Sequence, residues 1–176
     1  ADFQAPLKSG FNTLLFAVRE GHLETVKVLI DAGASPNDRV SGPGQADGAA
    51  YGVVRGQDMG SNGNTALSTA VINGNYEIAN YLIEKGANVN LPIPQGSLLH
   101  AVAWMRRPGD RPKVPITGNV DSIGLVKSLF AHGANPNARI DWPEIISTNA
   151  HRVETRGPAN IATGRSFLSY RGATAF

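Results

Sequence analysis

The sequence predicts an all-α solenoid of about three stacked helix pairs, with long loops inserted between and within the pairs. Three observations carry that prediction. The segments GHLETVKVLIDAGASPN (21–37), GNYEIANYLIEKGANVN (74–90) and DSIGLVKSLFAHGANPN (121–137) share one length and one register. Each sets apolar residues at i, i+3 and i+4: Val26, Leu29 and Ile30; Ala79, Leu82 and Ile83; Val126, Leu129 and Phe130. That spacing makes one apolar stripe on a helix. Each stripe then meets a glycine (Gly33, Gly86, Gly133), the residue that most readily turns left-handed just past a helix end. Units of this kind bury their apolar faces only by stacking on one another.

The elements follow in order. A first helix is predicted within GFNTLLFAVREG (10–21), aligned with a third within GNTALSTAVING (63–74). Small or β-branched pairs recur at one place in these upstream helices: Ala17-Val18, Ala70-Val71 and Val102-Ala103. Side chains of that size let neighbouring helices approach closely, as a stack requires. Downstream of each second helix stand Asn37, Asn90 and Asn137, with Pro36 and Pro136 beside two of them, which is turn chemistry. The unit is therefore turn, helix, turn, helix, glycine, turn.

This grammar resembles the ankyrin repeat, whose pattern runs Gly-x-Thr-Pro-Leu-His-x-Ala-Ala, then Gly-His, then Gly-Ala-x-x-Asn. The resemblance covers 10–37, 63–104 and 119–137, with 172–176 (GATAF) as the opening of another unit. The Thr-Pro-Leu-His element is degraded to Asn12-Thr13-Leu14-Leu15, Thr65-Ala66-Leu67-Ser68 and Ser97-Leu98-Leu99-His100. The resemblance implies that His22 and His100 make turn hydrogen bonds. It also divides the chain as one array. Repeat 1 is 10–37, repeat 2 is 63–90, and repeat 3 is 91–137 with an inserted loop at 105–118. Inserted fingers occupy 38–62 and 138–171, and 172–176 starts a truncated fourth repeat. On this expectation the chain is an internal piece of a longer array, or the only ordered part of one, with no polar capping unit before its first helix.

An undisturbed array repeats about every 33 residues, whereas Gly33 to Gly86 spans 53 and Gly86 to Gly133 spans 47. Lengthening a closed loop from 5 to 25 residues costs only about 1.4 kcal/mol, so such insertions are easily carried. Holding them in one conformation is dearer, at roughly 1 kcal/mol or more per residue, and needs apolar burial in return. Tyr51, Val53, Val54, Trp142, Ile145, Ile146, Phe167 and Tyr170 are the apolar residues that the fingers offer. The third unit and its long finger look like a subgroup of bacterial ankyrin proteins with inflated fingers, often exported. That likeness implies a bacterial origin and leans toward a periplasmic or secreted setting.

The chemistry of most other function classes is missing. There is no Cys, so neither disulfides nor cysteine zinc sites arise, and no apolar run approaches the 18 residues of a membrane span. His22, His100, His132 and His151 have no second ligand at metal spacing. His132 falls in a helix's last turn, where positive charge suits the dipole. Ser and His residues are scattered over packing positions, and SGPGQADG lacks the Lys-Ser/Thr of a phosphate loop. The expectation is therefore no catalytic residue, no cofactor and no metal. Net charge is +2, divided as −3 over residues 1–103 (6 Lys+Arg, 9 Asp+Glu) and +5 over 104–176 (10 and 5). The sharpest basic stretch, WMRRPGDRPK (104–113), points to an acidic-polymer or nucleic-acid contact only as an alternative, with no nucleic-acid motif beside it.

What remains is a non-enzymatic protein-binding scaffold that acts by rigid display. By the family pattern, the surface positions at the ends of the inner helices are Arg19 and Glu20, Ile72 and Asn73, and Trp104 and Met105. Ile72, Trp104 and Met105 are apolar there, which fits a contact patch. Arg106 and Arg107, and the finger aromatics Tyr51, Trp142 and Tyr170, complete the candidate partner-binding set. A second alternative is a structural segment that self-associates through its array ends.

Overall fold

The computed structural model describes residues 4–41, 63–93, 96–106, 115–139 and 174–175, with the backbone alone for Trp104. Six helices occur among the described residues: α1 (Thr13–Glu20), α2 (Leu23–Asp31), α3 (Ala66–Ile72), α4 (Tyr76–Glu84), α5 (Leu98–Met105) and α6 (Ser122–Ala131). No strand accompanies them, only the isolated antiparallel bridges Arg39–Thr65 and Ile93–Gly96 at the feet of two turns. The fold is an all-α repeat solenoid. The inner helices run α1 against α3 and α3 against α5, while the outer helices run α2 against α4 and α4 against α6. Residues 21–33, 74–86 and 121–133 thus lie in successive layers.

One continuous core joins the layers. Leu14, Leu15, Val18, Leu67, Ala70, Val71, Leu98, Ala101 and Val102 bury the inner helices, and Val26, Ala79, Leu82, Leu125 and Leu129 bury the outer ones. The small pairs allow this close approach, since Ala70 and Val71 are fully enclosed. Gly33, Gly86 and Gly133 turn left-handed as expected, at φ +96°, +89° and +81°. Ala175 is buried in the same core and stands in sequence register with Ala66.

Local hydrogen bonds show how the degraded turn element is compensated. Asn12 and Thr65 cap α1 and α3 by accepting from the N–H groups of Leu15 (2.9 Å) and Ser68 (3.0 Å). Ser97 pairs with the buried His100 through its hydroxyl and Nδ1, 2.7 Å apart. The expected turn bond of His22 is not made: its side chain is exposed and forms no cap on α2. His132 closes α6 through Nδ1, 2.8 Å from the Ser128 carbonyl.

The asparagines after the glycines work between units, beyond the turn role expected of them. Asn37 Oδ1 accepts from Asn88 N–H (2.8 Å), and Asn90 Oδ1 accepts from Asn135 N–H (2.9 Å). Asn90 Nδ2 donates to Gly133 O at 2.8 Å, and Asn37 Nδ2 reaches Gly86 O at a weaker 3.5 Å. Gln4 adds a rung before the first, its Nε2 donating to Gly33 O at 3.1 Å. It stands six residues ahead of the left-handed Gly10, as Asn90 stands six ahead of the left-handed Gly96. The outward face of α2 exposes Thr25 at the position that Ile78 and Leu125 fill in the buried layers.

Candidate functional site

Stacking the inner helices brings their C-terminal ends into one row: Arg19 and Glu20 on α1, Ile72 and Asn73 at the end of α3, Met105 and Arg106 at the end of α5. Trp104 belongs to the last turn of α5. Arg107, Tyr51, Trp142 and Tyr170 lie outside the described residues.

Within the row, Arg19 is the most constrained. Phe11 and Phe16 meet with ring centroids 5.1 Å apart. The Arg19 guanidinium sits over both, 5.4 Å and 5.3 Å from the two centroids. Its Nε and Nη2 both reach Glu20 Oε1 at 2.8 Å. The side chains of Arg19 and Glu20 are 44% and 52% exposed, so the pair is fixed in direction yet open to a partner. A planar cation held this way loses little rotamer freedom on contact.

The rest of the row is less uniform. Ile72 is half-buried, packing against the core with part of its side chain still accessible. Asn73 turns back on its own helix, its Nδ2 donating to Thr69 O at 2.8 Å. Met105 is half-buried and Arg106 exposed. The Arg106 charge lies near the phenol of buried Tyr76, opposing the desolvation that raises the Tyr76 pKa.

Beneath the row is a buried hydrogen-bonded junction that sequence reading missed. Asn75 Nδ2 donates to Val18 O (2.9 Å) and Arg19 O (3.1 Å), tying unit 2 to the end of α1. Asn75 Oδ1 accepts from Thr117 Oγ1 at 2.8 Å, and Thr117 N–H donates to Gly74 O at 3.0 Å. Glu77 Oε1 accepts from Asn119 N–H at 2.7 Å. The far foot of the 105–118 insertion is therefore fastened to the α3–α4 corner, beside the row itself. A sequence signal for Asn75 existed, since Gly74-Asn75 stands where Gly21-His22 stands. Thr117 had none, because the insertion has no counterpart in the other units.

A family model for ankyrin repeats, in three copies, matches residues 1–93, more than half of the chain. The chain belongs to the ankyrin-repeat family. Ankyrin repeats generally mediate protein–protein interaction and are typically non-enzymatic. The α6 layer lies beyond the matched residues, yet it packs on α4 as the ankyrin stack requires. No curated protein matches the chain. Among the described residues no cluster of three metal-ligating side chains occurs, and no helix is long and apolar enough to cross a membrane.

Proposed function

We propose that this chain is a protein-interaction module whose partner contacts the row of inner-helix ends. Arg19, Glu20, Ile72, Asn73, Met105 and Arg106 make the contact, with Trp104, Arg107, Tyr51, Trp142 and Tyr170 as further contact residues. The carrying observation is Arg19, held between two aromatic rings and a carboxylate and still half-exposed. Arg in a fixed, partly desolvated setting is a residue type on which binding energy concentrates. The inner helices supply a rigid ledge, so recognition costs little ordering.

Photo-crosslinking tests this reading. A photoreactive residue is placed at Asn73 in one sample and at Thr25, on the outward face of α2, in another. Each is irradiated in a lysate of the source organism. The expected result is one dominant adduct from position 73, reduced severalfold by Arg19→Ala and absent from position 25. Equal adducts from both positions, or an adduct indifferent to Arg19, would refute the site.

A further inference from the structure

Asn73 is followed by glycine, a pairing found once more in the chain, at Asn62-Gly63. That pairing carries its own chemistry. The backbone nitrogen after an asparagine can attack the side-chain carbonyl carbon, and a glycine there offers no Cβ to hinder the approach. The turn demands this glycine, since Gly74 stands at φ +75°, in the left-handed region that glycine takes at least cost. It does not demand the asparagine: Glu20 holds the same place in the first layer.

The stack keeps the pair from reacting. Asn73 follows α3 at φ −99° and ψ 5°. At that ψ the Gly74 nitrogen eclipses the backbone nitrogen of Asn73 and lies roughly a third of a turn from its Cβ, whereas ring closure needs it on the Cβ side. Both reacting groups are also engaged. Gly74 N–H donates to Val71 O at 3.1 Å, and Asn73 Nδ2 donates to Thr69 O at 2.8 Å. The corner is clamped from beyond as well, by Asn75 N–H on Ala70 O (2.9 Å) and Thr117 N–H on Gly74 O (3.0 Å).

We propose that Asn73 is a deamidation site gated by the α3–α4 corner. When the corner opens, Gly74 N bonds to Asn73 Cγ, the Cγ–Nδ2 bond breaks, and Nδ2 leaves as ammonia with the proton that Gly74 N gives up. Water then adds to either carbonyl of the five-membered imide, giving Asp or isoaspartate at position 73. One water enters and one ammonia leaves in all. The product resists reclosure. Its carboxylate has no N–H for Thr69 O, and its charge falls at the C-terminal, negative end of the α3 dipole. Isoaspartate also lengthens the backbone within the turn. The modification adds an anion to the row of inner-helix ends, and this chemistry holds whether or not the row is the partner site.

The test is peptide mapping by mass spectrometry on the whole chain, held at mildly alkaline pH both folded and in urea. The chain in urea should accumulate Asp and isoaspartate at position 73. The folded chain should form them at least about tenfold more slowly, because reaction waits on local opening. Asn75→Ala, and the milder Thr117→Val, loosen the corner and should each raise the folded rate severalfold. Gly33→Ala strains a different corner and should leave it unchanged. No product at position 73 in urea would overturn the site. Equal rates in the two states, or a folded rate indifferent to both corner variants, would overturn the gate. Equal acceleration by Gly33→Ala would assign the reaction to global unfolding and overturn the gate as well.

Discussion

Asn75 is where the inter-unit hydrogen bonds converge. Its amide donates to two carbonyls at the end of α1 and accepts from Thr117, all in a buried position. Removing it leaves those groups without partners, and the cost of an unmet buried polar group exceeds the worth of one bond. Asn75→Ala should lower stability by about 2–3 kcal/mol in urea unfolding. A loss within experimental error would mean that water replaces the amide freely. Gly118 makes a second test. It sits at φ +82°, and an added Cβ would overlap the Glu77 carboxyl that caps Asn119. Gly118→Ala should cost about 1–3 kcal/mol from backbone strain and the displaced carboxylate, whereas Gly33→Ala, with open space around it, should show the strain alone. Equal losses at the two glycines would argue against the Glu77 contact. Tyr76 governs the alkaline limb. Burial raises its pKa above the ordinary 10.0, with Arg106 opposing. The neutral phenol is thus favoured in the folded state, so its contribution is full below pH 10 and is lost as pH rises through the folded value. The shifts of Lys27 and Lys85, raised chiefly by hydrogen bonds to Glu24 and Asp31, act in the same direction. Stability should fall above about pH 10, and Tyr76→Phe should flatten that fall. An unchanged profile in the variant would remove Tyr76 as its cause.

At the scale of elements, the helices were legible and their joints were not. The i, i+3, i+4 stripes with terminal glycines located α2, α4 and α6, because period and cap are local properties of the chain. The small pairs located α1, α3 and α5 for the same reason. The asparagine ladder was visible only as turn residues, since its partners lie 43 to 51 residues away and periodicity says nothing about them. Ladder strength now gives a graded expectation. Asn90 makes two short bonds to unit 3, whereas Asn37 makes one short bond and one at 3.5 Å to unit 2. Asn90→Ala should therefore destabilise by about 1 kcal/mol, and Asn37→Ala by less, as read from paired denaturation curves. The reverse order would show that the rungs do not set the strength of the joints.

For the whole molecule, the account is a one-dimensional stack whose layers contact only near neighbours, with inserted segments fastened to its edges. The fastening is seen at Thr117 and Asn119, which hold the end of one insertion on the corner of the layer before it. The candidate contact row follows from stacking too, because Arg19, Asn73 and Arg106 are far apart in sequence and become neighbours only when α1, α3 and α5 lie side by side. The layered arrangement is thus the claim on which fold and ledge both depend. It can be measured directly, since the chain has no cysteine to interfere. Asp31 and Ala131 are exposed, occupy one register position on α2 and α6, and stand 100 residues apart in sequence. Spin labels on Asp31→Cys and Ala131→Cys, read by pulsed electron resonance, should give one narrow distribution near two interhelical spacings, about 20 Å between backbones. A broad distribution, or one centred well beyond 30 Å (on the order of three spacings or more), would contradict the stack.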